Sequence, residues 1–391
     1  VEYINNELHF GPGKKNLSSL CANYIRPIYV YDLDFIRSRF KQMAEALAGV
    51  RLYFAVKANP NPQVLQCLKS AGAGADVVSL GEIKRALESG FLPEDIVYSG
   101  VGKTRHEITE ALQLGVLQIN VESLPELQRI GDIAEKMGKK AHVALRLNPD
   151  VSIQTHPYIA TGLRDNKFGM ELSLIPELTA CLKKYAHSLE LVGVSLHLGS
   201  QMLEFSGYQE ALTKLKEVFK SMQKDFPTLR RFDFGGGLGV VYEKQDLDLE
   251  ARLLKEYAGI TQGILGDLKC ELQSEPGRWL VAHAGTLLTQ VQYVKMTSAK
   301  TFVIVDSGMN HLIRPSLYEA EHLIKPLIRT TKQIKCDVVG PICESSDFFL
   351  KDYEMGEVQE GDYLAILDSG AYGYSMASTY NLQELPLEIC I

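Results

Sequence analysis

Several things are scarce in these 391 residues, and each scarcity excludes something. There is one tryptophan, and aromatic residues make up only 8%. Positive charge is outnumbered: lysine and arginine total 41 against 48 aspartates and glutamates, for a formal net charge of −7. A chain of that sign lacks the basic footprint of a nucleic-acid binder, so no nucleic acid is expected as a partner. No apolar run reaches the roughly 20 residues of a membrane-spanning helix. Residues 1–10 carry Glu2, Asn5, Asn6 and Glu7, unlike a signal peptide. The seven cysteines form no CxxC pair, so neither a disulfide framework nor a metal site is expected. The expected compartment is reducing and cytoplasmic, without membrane attachment.

Glycine, by contrast, is plentiful at 32, which suits a fold with many tight loops. Short β-branched runs recur at 52–56, 75–78, 96–99, 118–121, 142–147, 191–196, 231–234 and 270–273. Helical patterns lie between them, for example at 79–89, 124–136, 175–186 and 208–225. Alternating strand and helix implies a parallel sheet, and eight units imply a closed (β/α)8 barrel of TIM type. After about residue 280 the pattern changes to strands without long helices, at 286–295, 301–305, 334–339 and 362–367. The expected fold is thus α/β: a barrel over 30–272, with 1–29 and 273–391 forming an antiparallel β-domain. The polar stretch 150–168 is long for a loop in a compact enzyme and is expected to be functional.

A barrel places its chemistry at the C-terminal ends of its strands. Lys57, Asp76, Arg146, His197, Gly235, Gly236, Gly237 and Glu275 each close or follow a strand. Lys57 follows the apolar run in YFAVKANPN. Partial desolvation there would lower an amine's pKa and make it a Schiff-base nucleophile. The three glycines of FDFGGGLG let backbone amides approach an anion after the seventh strand, a common phosphate position in barrels. In HLGSQ, His197 could stack on a planar ring and Ser200 could bond a phosphate. EPGR supplies Glu275, Gly277 and Arg278, and an acid beside a pyridine nitrogen would keep that nitrogen protonated. GPICESSD offers Cys343 as an acid beside Glu344, and GAYGYSM offers the Tyr372 hydroxyl. Taken singly, each has an ordinary reading, such as a surface lysine, a flexible turn or a core histidine.

Taken together and in order, VKAN, HLGS, GGGLG, EPGR, GPICES and GAYGYSM resemble the alanine-racemase-like enzymes of pyridoxal 5'-phosphate, fold type III. The resemblance covers about 28–381. The stretches THPYIATGLRDNKFGM, DSGMNHLIRPSLY and SMASTYN resemble the diaminopimelate decarboxylase family. That resemblance implies the conversion of meso-2,6-diaminopimelate to L-lysine and CO2 by a homodimer with shared active sites. It implies Lys57 as the cofactor's lysine, Glu275 at the ring nitrogen and His197 on the ring face. Asp76 and Arg146 match positions near the cofactor. Ser200, Gly235, Gly236, Gly237, Gly277, Arg278 and Tyr372 match its binding loops. Arg278, Arg314, Tyr318, Glu344 and Tyr372 match substrate positions, with Cys343 and Glu344 entering from the second subunit and Cys343 returning a proton. The chain departs from the family where Thr379 replaces a common Asn and Gln383-Glu384-Leu385-Pro386 replaces a basic run. A decarboxylase of the same fold acting on ornithine, arginine or a carrier-tethered amino acid is the alternative.

Overall fold

Eight short strands carry the architecture: β1 (Val50–Ala55), β2 (Gly74–Val77), β3 (Ile96–Tyr98), β4 (Gln118–Val121), β5 (Ala141–Asn148), β6 (Leu189–Ser195), β7 (Arg231–Asp233) and β8 (Glu271–Ser274). Each pairs in parallel with the next, and β8 pairs with β1, so the sheet closes on itself. The computed structural model of the chain describes residues 1–151, 167–242 and 246–391. All eight runs expected from the sequence are strands. The expected helices are Leu80–Glu88, Leu124–Met137, Ile175–Lys184 and Ser206–Asp225.

Local chemistry explains why helices start where they do. Asn61, Ser79, Thr104 and Ser123 each accept a backbone N–H of the following helix with their side chains. Thr104 and Glu107 complete a reciprocal capping box, a device contributing about 1 kcal/mol per cap. Gly115 and Gly138 end two helices in the left-handed conformation, at φ of 77° and 61°, which glycine adopts without a Cβ penalty. β2, β3 and β4 are buried along their whole length, as strands covered on both faces must be.

The chain divides into two units. Lys41–Gly239 and Asp248–Gly277 make the barrel unit, and Val1–Phe40, Val240–Leu247 and Arg278–Ile391 make the β-unit. Relative to the expected barrel over 30–272, this division keeps 273–277 with the barrel and places 30–40 and 240–247 in the β-unit.

The β-unit is built on the long strand Gly285–Met296, which pairs antiparallel with Thr301–Val305, Tyr363–Ile366 and Ile28–Tyr31. Its sheet is mixed rather than purely antiparallel. Thr301–Val305 runs parallel to Gln333–Val339, and Leu387–Cys390 runs parallel to Ile28–Tyr31. The reason is the connection after Val305. It carries the helix Arg314–Tyr318 and the strand Ile324–Pro326, long enough to return to the same end of the sheet, as a parallel crossover requires. Residue alternation reports which faces are buried and is silent about strand direction. No helix among the described residues is long and apolar enough to cross a membrane.

Candidate active site

In the barrel unit, β1 runs directly into a single 3-10 turn, Val56–Ala58, which carries Lys57. The Lys57 Nζ lies 3.0 Å from Asp76 Oδ2 at the end of β2. Asp76 is fully buried, while the Lys57 side chain is 37% exposed. The other Asp76 oxygen is buried without a hydrogen bond among the described residues. A partly exposed amine thus rests against a buried carboxylate.

Glu275 follows β8 and is buried. Its Oε1 accepts from Asn120 Nδ2 at 3.2 Å and from Ser99 Oγ at 3.4 Å. Gln118 donates to Asn120 Oδ1 at 3.0 Å, which orients the Asn120 amide with its N–H groups toward Glu275. Burial pushes the Glu275 carboxyl well above the ordinary carboxylate range. Asp233 and Asp76 push the same way, and Lys57 pulls back by less. Asp233, at the end of β7, is also raised by burial. Burial and the neighbouring acids thus favour the protonated form of Glu275.

His197 follows β6. Burial, and then the charges of Arg146 and Lys57, lower its pKa well below the ordinary value, so the ring is neutral. Its Nδ1 accepts from the Gly236 amide at 3.4 Å, which leaves the ring proton on Nε2. Arg146 donates to Glu122 at 2.7 Å and lies 5.0 Å from the Phe168 ring centroid. Glu122 also accepts from the Gly169 amide at 2.9 Å.

The glycine run is needed for close approach. A Cβ on Gly235, Gly236 or Gly237 would collide with the carbonyl oxygen of Leu196, Glu275 or Gly199 respectively, and Gly237 also sits at φ 101°. Backbone packs on backbone there, and the amide of Gly235 donates to Asp233 at 2.8 Å. Ser200 is half-buried after Gly199, and Gly277 is buried two residues beyond Glu275.

The β-unit gathers a second group. Arg278 and Arg314 are 8% and 5% exposed. Arg278 donates to the Tyr242 hydroxyl at 2.9 Å and lies 4.8 Å from the Tyr372 ring centroid. Tyr372 holds φ at 57°, a strained conformation for an aromatic residue and one that clusters at functional sites. Arg314 lies 4.6 Å from the Tyr242 centroid and donates to His322 Nε2 at 3.0 Å. His322 gives its Nδ1 proton to the Leu367 carbonyl at 2.8 Å. Burial, with the charge of Arg314 next, lowers its pKa to about 3, so it is uncharged. Tyr318, half-buried at the end of the helix Arg314–Tyr318, raises the pKa of Arg278 together with Tyr242 and Tyr372, against the effect of burial.

Cys343 and Glu344 are exposed in the same unit and make other contacts. The Cys343 amide donates to Asn381, and Glu344 accepts from Tyr380 at 2.6 Å. The functional loop expected at 150–168 lies largely outside the described residues, as does most of THPYIATGLRDNKFGM. Sequence reasoning missed Asp233, Ser99, Asn120, Glu122, Tyr242 and His322. Asp233 had a signal, an acid at a strand end just before the glycines. The others had none.

Comparison with known proteins bears on this arrangement. Residues 33–282 match the family model described as pyridoxal-dependent decarboxylase, pyridoxal binding domain. The chain is 42% identical over its whole length to a diaminopimelate decarboxylase of Aquifex aeolicus, covering 92% of that protein. It is 46% identical to one of Helicobacter pylori, over 96% of this chain and 93% of that one. The crystal structure of a Helicobacter pylori diaminopimelate decarboxylase complexed with L-lysine has a TM-score of 0.91 at 44% identity, covering 96% of this chain and 94% of that one. The barrel residues suit a pyridoxal cofactor on their own geometry. An amine stands at the end of β1, and a wall of backbone leaves no room for a Cβ. The acid cluster, one of whose oxygens is orphaned on Asp76, would gain a positive partner from a protonated ring nitrogen.

Proposed function

The chain belongs to the diaminopimelate decarboxylase family of pyridoxal-dependent decarboxylases, and from that premise we propose how its residues divide the work of releasing CO2 from meso-2,6-diaminopimelate to leave L-lysine. Pyridoxal 5'-phosphate, when bound, supplies an electron-withdrawing ring that takes up the electron pair left by the departing CO2. Lys57, steadied by Asp76, is the amine that would anchor the cofactor. Glu275, set by Asn120 and Ser99, holds a proton at the ring nitrogen. His197 covers the ring face; as a neutral imidazole it adds no charge to compete with that proton. Asp76 and Arg146 line the cofactor's surroundings. Gly235, Gly236, Gly237 and Gly277, with Ser200, Arg278 and Tyr372, would hold the phosphate, the amides of Gly235 and Gly236 being bonded to Asp233 and His197.

Arg278, Arg314, Tyr318 and Tyr372 bind the substrate, and the arginines take its distal carboxylate. One observation carries that choice of substrate: Arg314 is buried, its hydrogen-bond partner is an uncharged histidine, and no carboxylate pairs with it among the described residues. A buried guanidinium in that state is costly until an anion reaches it, and guanidinium binds carboxylate in two-pronged fashion. Lysine or ornithine offered for decarboxylation has no distal carboxylate to give it.

Cys343 and Glu344 serve the second subunit of a homodimer, Glu344 at the distal ammonium and Cys343 returning a proton. Their exposure supports this, together with that of Tyr380 and Leu382 at 46% and 94%. No disulfide joins any of the seven cysteines, in keeping with the reducing cytoplasm in which we place the enzyme.

The test offers meso-diaminopimelate, L-lysine, L-ornithine and L-arginine in parallel to the protein with added cofactor. Lysine and CO2 from diaminopimelate alone, lost in Lys57→Ala, is the expected result. Turnover of ornithine or arginine would overturn the reading of Arg314.

A further inference from the structure

Tyr242 stands among the arginines of the β-unit, yet neither sequence motif nor family resemblance assigns it a role. Its hydroxyl oxygen accepts from Arg278 Nη1 at 2.9 Å, and its ring lies 4.6 Å from the Arg314 guanidinium carbon. One side chain therefore touches both cations. A phenol oxygen that accepts one hydrogen bond still has its own proton to donate. The neighbouring imidazole does not: His322 spends its Nδ1 proton on the Leu367 carbonyl and its Nε2 lone pair on Arg314. The Tyr242 ring is also braced edge-on by His322 at 5.4 Å and by His283 at 6.4 Å, and His283 is itself bonded to Asp368 at 2.6 Å. A braced donor loses little freedom when a ligand arrives. Burial pushes the phenol's pKa up, but Arg278 and Arg314 outweigh it and bring it below the ordinary value, which strengthens the O–H as a donor. The residue as a whole is half-buried.

We propose that Tyr242 is a further specificity-determining residue, whose hydroxyl, accepting from Arg278 beside Arg314, donates a hydrogen bond to the distal carboxylate of the substrate. The proposal rests on the reading that Arg278 and Arg314 receive that carboxylate. Tyr242 thereby separates amino acids with a carboxylate at the far end from plain amines of the same length.

The test is Tyr242→Phe in the cofactor-loaded enzyme, which keeps the ring under Arg314 and removes only the hydroxyl. L-Lysine and cadaverine serve as competitive inhibitors. They share both amines and differ only in the carboxylate that the product retains. The expected result is a roughly tenfold or larger rise in the lysine inhibition constant, the scale of one hydrogen bond to a charged group. Cadaverine should stay within about twofold on the same reasoning. KM for diaminopimelate should rise with the lysine constant while kcat changes little. An unchanged lysine constant, or equal weakening of both inhibitors, overturns the proposal. Arg314→Gln is measured alongside. If it selectively weakens lysine and Tyr242→Phe does not, the role of Tyr242 is wrong and the carboxylate site stands. If neither variant separates the two inhibitors, the carboxylate site is wrong and the proposal falls with it.

Discussion

Replacing Glu82 with glutamine should make the protein more stable at pH 8 and leave it nearly unchanged at pH 5. Glu82 sits in the first turn of Leu80–Glu88, where its Oε2 accepts the Val78 amide at 2.8 Å. Burial raises its carboxyl from the ordinary 4.5 to about 7. Asp76 pushes the same way, while the Val78 bond and Lys57 pull down by less in total. In the unfolded chain the acid ionises at its ordinary value. The folded chain holds the proton up to about pH 7, so the folded state is penalised by nothing below pH 4.5, progressively between 4.5 and 7, and fully above. That rise, at about 1.36 kcal/mol per pH unit, amounts to about 3.4 kcal/mol. Solvent reaching the partly exposed side chain lowers the figure toward about 2 kcal/mol. Glutamine imitates the protonated acid and keeps an oxygen for the Val78 amide. Urea unfolding at pH 5 and pH 8 reads the difference directly. A variant no more stable than the parent at pH 8, or equally stabilised at both pH values, would refute the reasoning.

Two further changes test other parts of the barrel. Lys103 is buried and donates to the carbonyls of Gly100 and Asn120, both at 2.6 Å, and to Glu126 at 2.8 Å. Lys103→Met strands the Glu126 charge and should cost about 3–5 kcal/mol by chemical unfolding; a loss under about 1 kcal/mol would mean that water replaces the amine. Gly236→Ala drives a methyl group into the Glu275 carbonyl, so soluble protein, or failing that the visible absorbance of bound cofactor, should be lost. Normal yield with a normal spectrum would show that the glycine run can spread.

The barrel was legible because its signal is repetitive. Short buried strands alternating with helices, four of them begun by a capping side chain, leave a pattern that one misread segment cannot erase. The mixed sheet of the β-unit was not legible, because Thr301–Val305 alternates in the same way whichever direction its neighbour runs. Lys57, Glu275 and the glycines drew notice because strand ends in a barrel have a known use. Their supports escaped for a plain reason. Asn120 reaches Glu275 across 155 positions of sequence and Lys103 reaches Glu126 across 23, so neither pair shares a local pattern. Tyr242 resembles any aromatic after a turn until Arg278 and Arg314 arrive from elsewhere in the chain.

The strand Ile28–Tyr31 lies between Gly285–Met296 on one side and Leu387–Cys390 on the other. Its two neighbours are made by the ribosome long after it. During synthesis this apolar segment, buried at every position in the finished protein, must wait through several hundred residues with both edges unpaired, a state that invites pairing with other chains. The pairing of Leu387–Cys390 with this strand therefore has a structural job. Replacing Ile389 with proline would break this pairing and leave one edge of that strand open, and the cost should appear first as aggregation of the newly made protein and only secondarily as a slower enzyme.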